Sequence, residues 1–156
     1  MDNVLSVASY LVQQYCARYG RPLDEMKIHK LLYFAQRESF IQFDEPLFDA
    51  TFFGWKYGPV LKEIRRAYSD GAFSCYNTIS VCERTQLVIA KVLGDYAEKD
   101  SWSLSRLTHG ELSWRKSRAG VPEEASSDYP MDNNDIKLDA ARIKERRTLL
   151  SNLGLG

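Results

Sequence analysis

Apolar residues recur along most of this chain at intervals of three and four, the spacing that lines one side of an α-helix. Val4, Leu5, Ala8, Leu11, Val12, Tyr15 and Cys16 follow that rhythm between Asn3, a good helix start, and Gly20, a good stop. They predict a first amphipathic helix. The next run, Leu23 to about Phe40, is richer. Asp24 can cap its start, Leu23 and Ile28 stand where a hydrophobic staple would, and Ile28, Leu31, Leu32 and Ala35 form one stripe. Phe34 and Ile41 fall on a second side and Met26, Tyr33 and Phe40 on a third. A surface helix needs a single apolar stripe, so this helix is expected to be touched from several directions and to be the centre of the fold.

Beyond Asp44-Glu45-Pro46 the period changes. Phe48, Ala50 and Phe52 alternate, predicting a short extended piece before Gly54. Gly58-Pro59 reads as the opening of a helix to about Tyr68, with Pro59 at its first position and Val60, Leu61, Ile64 and Ala67 facing inward. Thr78-Ile79-Ser80-Val81 is a second possible strand, which could pair with Phe48 to Phe53 as a small ribbon. Glu83 to about Tyr96 suits a buried helix better than a strand, by its length and its Glu, Gln and Lys content. Ser101 or Asp100 begins a short helix through Leu104 and Leu107, Gly110 marks a bend, and Trp114 to Arg118 continues in helix. Residues 119–135 contain no Lys or Arg and read as a mobile acidic loop. A final helix from Asp132 or Asn134 aligns Ile136, Ala140, Ile143 and Leu150. The expected architecture is mainly α: one compact helical domain over residues 1–150 around a central buried helix, with one short two-stranded β ribbon and a frayed tail at 151–156.

Composition narrows the function classes. The 156 residues carry 21 Lys and Arg against 21 Asp and Glu, so no global charge favours nucleic acid or a membrane surface. No apolar run reaches the ~20 residues of a membrane span, and the first residues lack the pattern of a signal peptide. A cytoplasmic location is expected. The three cysteines, Cys16, Cys75 and Cys82, show no CxxC spacing and fit reduced thiols, with Cys16 in the core.

Motifs for catalysis are missing: there is no Walker-type loop, GxSxG or HExxH, and the two histidines are far apart. His109 could act as a base beside Glu111 and Ser113, or be a hydrogen-bonded histidine at a helix junction; His29 reads as a packed or surface residue rather than a ligand. No cofactor and no metal are expected. The cluster Phe52, Phe53, Trp55, Tyr57 either fills a core or, for Trp55 and Tyr57 with Arg65 nearby, presents anchors to a protein partner. Stacking on nucleic-acid bases is an alternative against which the neutral charge counts. Arg115, Lys116 and Arg118 beside Trp114 could meet an acidic partner, form a solvated face, or be masked by the acidic loop.

Three blocks carry a family resemblance: Lys27-Ile28-His29-Lys30-Leu31-Leu32-Tyr33-Phe34-Ala35-Gln36, then Pro46-Leu47-Phe48, then Trp55-Lys56-Tyr57-Gly58-Pro59-Val60. In order and spacing they resemble the SocA-type antitoxins, or Panacea antitoxin domain, a family of phage-associated, GepA-like proteins. Leu107-Thr108-His109 with Trp114-Arg115-Lys116 is similar to a downstream signature of that family, and Phe52-Phe53-Gly54 departs from its pattern. The resemblance implies a non-enzymatic helical protein that binds and neutralises a toxin encoded beside it. One branch is similar to proteolytic adaptors that hand the toxin to the protease ClpXP; a nucleic-acid-binding regulator is the other alternative. The residues expected to meet the toxin are Trp55, Tyr57, Arg65, His109, Trp114 and Arg115.

Overall fold

A computed structural model describes residues 1–156. Asn3 and Gly20 bracket helix α1 (Val4–Tyr19) through the bonds their residue types favour: the Asn3 side chain accepts the Leu5 amide at 2.8 Å, and Gly20 ends the helix at φ 71°. Asp24 caps α2 (Glu25–Phe43) by accepting the Lys27 amide at 2.8 Å, with Leu23 and Ile28 buried beside it. A hairpin follows, β1 (Phe53–Trp55) with β2 (Gly58–Val60), then α3 (Lys62–Ser69), α4 (Glu83–Tyr96), α5 (Ser101–His109), α6 (Leu112–Ser117) and α7 (Asn133–Asn152). The fold is mainly α, as the periodicity predicts.

Every residue of α2 from Lys27 to Ile41 is buried. The reason is that α7, α4, α5, α1, α3 and the hairpin all pack around it. Its apolar sides meet Phe48 and Phe52 from the segment before the hairpin, Val88 and Ile89 from α4, Leu104 from α5 and Ile136 from α7 in one core. Burial on all sides also takes its polar residues out of water, and each finds a partner. Gln36 accepts the Leu47 amide at 2.8 Å and donates to the Phe48 carbonyl at 3.0 Å, which seats the chain leading to the hairpin. Glu38 takes both guanidinium nitrogens of Arg147 from α7, at 2.8 and 2.9 Å. Arg37 pairs with Glu111 and donates to the Tyr96 hydroxyl at 2.7 Å.

The ribbon differs from its predicted form. Phe53 pairs with Val60, Gly54 with Pro59 and Trp55 with Gly58 around the two-residue turn Lys56-Tyr57, while residues 78–81 form no strand. A local reversal needs no long loop closure, and Gly58 permits it with φ 116°, a region that side chains disfavour. Pro59 therefore lies in β2 rather than at a helix start, and α3 begins at Lys62, later than expected. On its other edge β1 meets residues 129–131: Gly54 N–H donates to the Tyr129 carbonyl at 2.9 Å and Met131 N–H to that of Phe52 at 2.7 Å.

The cysteine expectation is also corrected. Cys16 and Cys75 form a disulfide with Cα atoms 5.5 Å apart, and Cys82 alone is a free, exposed thiol. The two partners are 59 residues apart, and only the packing of α1 near the end of α3 brings them together. The acidic segment expected to be mobile is gathered around the buried Arg118, whose guanidinium donates to the carbonyls of Pro122 (3.1 Å), Glu123 (3.3 Å) and Ala125 (2.7 Å) and to the Ser127 hydroxyl (2.9 Å). Helix α7 runs on to Asn152, leaving four exposed residues. No helix is long and apolar enough to cross a membrane.

Candidate functional site

The hairpin carries main-chain carbonyls at Gly54, Trp55, Tyr57 and Pro59 to which side chains from all around it donate. Arg118 and Ser127 donate to Gly54 O at 3.4 and 3.1 Å, the Trp114 indole to Trp55 O at 2.9 Å, Ser105 to Tyr57 O at 2.5 Å and Lys30 to Pro59 O at 3.2 Å. Helices α2, α5 and α6 and the acidic segment thus each hold one point of the turn. Trp114 is itself positioned by the stacked His109 ring, 4.1 Å away and inclined by 8°. Asp139 of α7 fixes α6 from behind by accepting the Leu112 and Ser113 amides at 2.8 and 2.9 Å.

In front of this frame lies a groove of about 800 Å³. Trp55, Lys56, Tyr57 and Val60 of the hairpin line one side, Glu25, His29 and Lys30 of α2 the floor, and Arg65 of α3 and Ser126–Asp128 the rim. Its aromatic residues are braced: Trp55 donates to Asp128 at 2.8 Å with the Arg65 guanidinium 5.2 Å over its ring, and Tyr57 sits edge-on to Trp102 at 5.3 Å. Asp128 also takes Lys62 at 2.8 Å, and these bonds from Lys62 and then Trp55 hold its carboxyl below the usual carboxylate range.

His29 has a fixed tautomer. The Leu61 amide donates to Nδ1 at 3.2 Å, so Nε2 carries the proton and donates to Glu25 at 3.0 Å. Burial pushes its pKa down to about 4. At neutral pH it is an uncharged strut with both nitrogens engaged. Lys30 is buried too, and desolvation lowers its ammonium to about 8. No group of three or more His, Cys, Asp or Glu side chains is arranged to hold a metal ion.

Residues 28–115 match the family model described as antitoxin SocA-like, Panacea domain. That is more than half of the chain. It belongs to the SocA-like Panacea antitoxin-domain family. No curated protein and no solved structure matches. The Panacea match runs from within α2 into α6, so it includes His29 and Lys30 of the floor and both strands of the hairpin, while α1, Glu25, Ser126–Asp128 and α7 lie outside it.

Of the six residues expected to meet a partner in this Panacea domain, three come together: Trp55, Tyr57 and Arg65 line the groove. Trp114 is buried behind the hairpin, and half-buried His109 stacks on it with Nε2 enclosed and unpartnered; burial lowers the pKa of that ring. Both hold the turn in place. Arg115 is exposed on α6, away from the groove. The sequence neighbours that could assist His109 as a base are engaged elsewhere, Glu111 with Arg37 and Arg142 and Ser113 with Tyr33. Of the three basic residues that the acidic segment could mask, it encloses Arg118 through its carbonyls and meets Lys116 only by Asp135, at 3.1 Å, leaving Arg115 open, while Asp128 reaches the groove. Sequence reasoning passed over Lys30, Glu25 and Asp128. Lys30 stands inside the apolar run of α2, and its burial was the only signal available.

Proposed function

We propose that this chain is an antitoxin that neutralises a cognate protein toxin by direct binding, without catalysing a reaction, and that the hairpin groove is where the toxin docks. The observation that supports this most is the grouping of Trp55 and Tyr57, on a hairpin pinned by five side chains, with Arg65 of α3, all three within the stretch that matches the antitoxin family. Large aromatics and arginines on a pre-organised surface supply most of the energy of protein interfaces, because little entropy is lost in fixing them. Tyr57 is half exposed at the turn, and Arg65 is similarly open. The site of action in this reading is the cytoplasm. None of the three cysteines lines the groove.

Growth rescue tests the proposal. The protein expressed with the toxin encoded beside it restores growth, and Tyr57→Ala with Arg65→Ala abolishes rescue while the fold is kept. Rescue that persists in cells lacking ClpXP identifies masking of the toxin rather than delivery to that protease. Absence of any neutralised neighbour, or full rescue by the folded double variant, would sink the reading or its surface respectively.

A further inference from the structure

Lys30 is the one buried cation of this fold with almost nothing to balance it. Its side chain is 2% exposed, it donates only to the Pro59 carbonyl at 3.2 Å, and no carboxylate lies within 4.0 Å of it. Other buried cations are better served. Arg37 has Glu111, Arg118 has its ring of carbonyls, and Lys27 donates to Ala97 O at 2.7 Å with the Tyr15 ring 5.0 Å away. An ammonium has three donors, so Lys30 keeps two unused, and its charge is expensive to bury without a counter-charge. Its position is enforced from the side: a Cβ on Gly58 would come within 2.9 Å of Lys30 Cε. The carboxylates nearby are already engaged. Glu25 serves His29 at 3.0 Å and Arg65 at 3.2 Å, and Asp128 serves Trp55 and Lys62.

From this geometry we infer that Lys30 is the floor of a carboxylate-binding subsite, which receives an Asp or Glu side chain of the partner protein between Tyr57 and Arg65. The inference rests on the proposed docking of a toxin in this groove and adds the chemistry that docking requires. A single carboxylate supplies the missing counter-charge and accepts the spare donors. Glu25 on the floor and Asp128 at the rim favour one negative charge over a phosphate, which carries about two at neutral pH. Lys30 itself is buried at the base of the groove, where a charge pair is strengthened by the low local dielectric.

Carbon-13 labelling of lysine side chains, with the Lys30 signal assigned by Lys30→Met, gives a direct test in the intact protein. N-acetylglutamate N-methylamide, whose side chain is its one carboxylate, is expected to shift the Lys30 Cε signal saturably and to raise its titration midpoint, whereas N-acetylglutamine N-methylamide, which has none, leaves it unmoved. A Lys30 signal silent to N-acetylglutamate N-methylamide, or one that responds to inorganic phosphate at lower concentration, overturns the assignment. With the neighbouring toxin, Lys30→Met that retains its circular dichroism spectrum is expected to bind about thirtyfold more weakly or worse. Equal binding by the variant overturns the subsite and leaves toxin docking standing. A Lys30 that responds to carboxylate in a protein that binds no toxin supports the subsite and refutes the antitoxin reading.

Discussion

Truncating Asp139 should release the helix that holds the groove from behind. Its carboxylate is 1% exposed, accepts the Leu112 and Ser113 amides at 2.8 and 2.9 Å and the Tyr33 hydroxyl at 3.2 Å, and stands 3.7 Å from Arg142. In Asp139→Ala those three donors lose their shared acceptor inside the fold. Bonds to a charged acceptor contribute about 1.5–3 kcal/mol each, but the carboxylate also costs several kcal/mol to desolvate. The expected net loss is therefore about 3–5 kcal/mol, the usual cost of leaving a buried charged network without one member. Tyr33→Phe removes the longest of the three bonds together with the 2.8 Å bond between the Tyr33 and Ser113 hydroxyls, and should cost about 1–2 kcal/mol. The two changes share an atom, so the double variant should lose less than their sum. Urea unfolding measures the free energies, and amide exchange at Leu112 and Ser113 should accelerate in Asp139→Ala even under native conditions. A loss below about 1 kcal/mol with unchanged exchange at both amides would refute the claim that α7 anchors α6.

Further outcomes follow from the core and the groove. Leu31→Ala and Leu32→Ala, both fully buried in α2, should each cost about 2–5 kcal/mol by thermal or urea unfolding; losses under half a kcal/mol would contradict the central role of α2. His29 has a folded pKa of about 4 against an ordinary 6.5, so between those values the unfolded chain binds a proton that the folded chain refuses. Stability should fall by up to about 3 kcal/mol as pH drops from 6.5 to 4, the ring should titrate by NMR near the lower value, and a midpoint near 6.5 would contradict it. Gly58→Ala places a Cβ 2.6 Å from Thr108 Oγ1 at a φ of 116° and should cost about 1–3 kcal/mol in a melting experiment; a neutral result would mean the hairpin turn is built differently.

The helices were legible because their ends are written locally. Asn3, Asp24, Asp100 and Asp132 each accept an amide of the helix they precede, and those residue types at those places need no knowledge of the rest of the fold. The hairpin was not legible, because Gly58-Pro59 is equally compatible with a helix start and with a strand, and the deciding partner of Gly54, Tyr129, is remote in sequence. The same limit hid the buried charges. Lys30, Arg37 and Glu38 interrupt an apolar pattern in a way that usually means solvent, and the residues that satisfy two of them, Glu111 and Arg147, lie 74 and 109 positions away. Aromatic and arginine content sufficed to select Trp55, Tyr57 and Arg65, which share the groove. It could not separate them from Trp114 and His109, whose burial behind the turn depends on how α5 and α6 meet.

Hydrogen–deuterium exchange of the protein alone and bound to its neighbouring toxin tests the central claim most directly, because it reads the contact surface without any substitution. Binding through the groove predicts slowed exchange in Trp55–Gly58, at the start of α2 around Glu25 to His29, and in Ser126–Asp128, with α4 and the outer face of α7 unchanged. Protection confined to α4 and α7, with the hairpin turn exchanging as it does in the free protein, would contradict it.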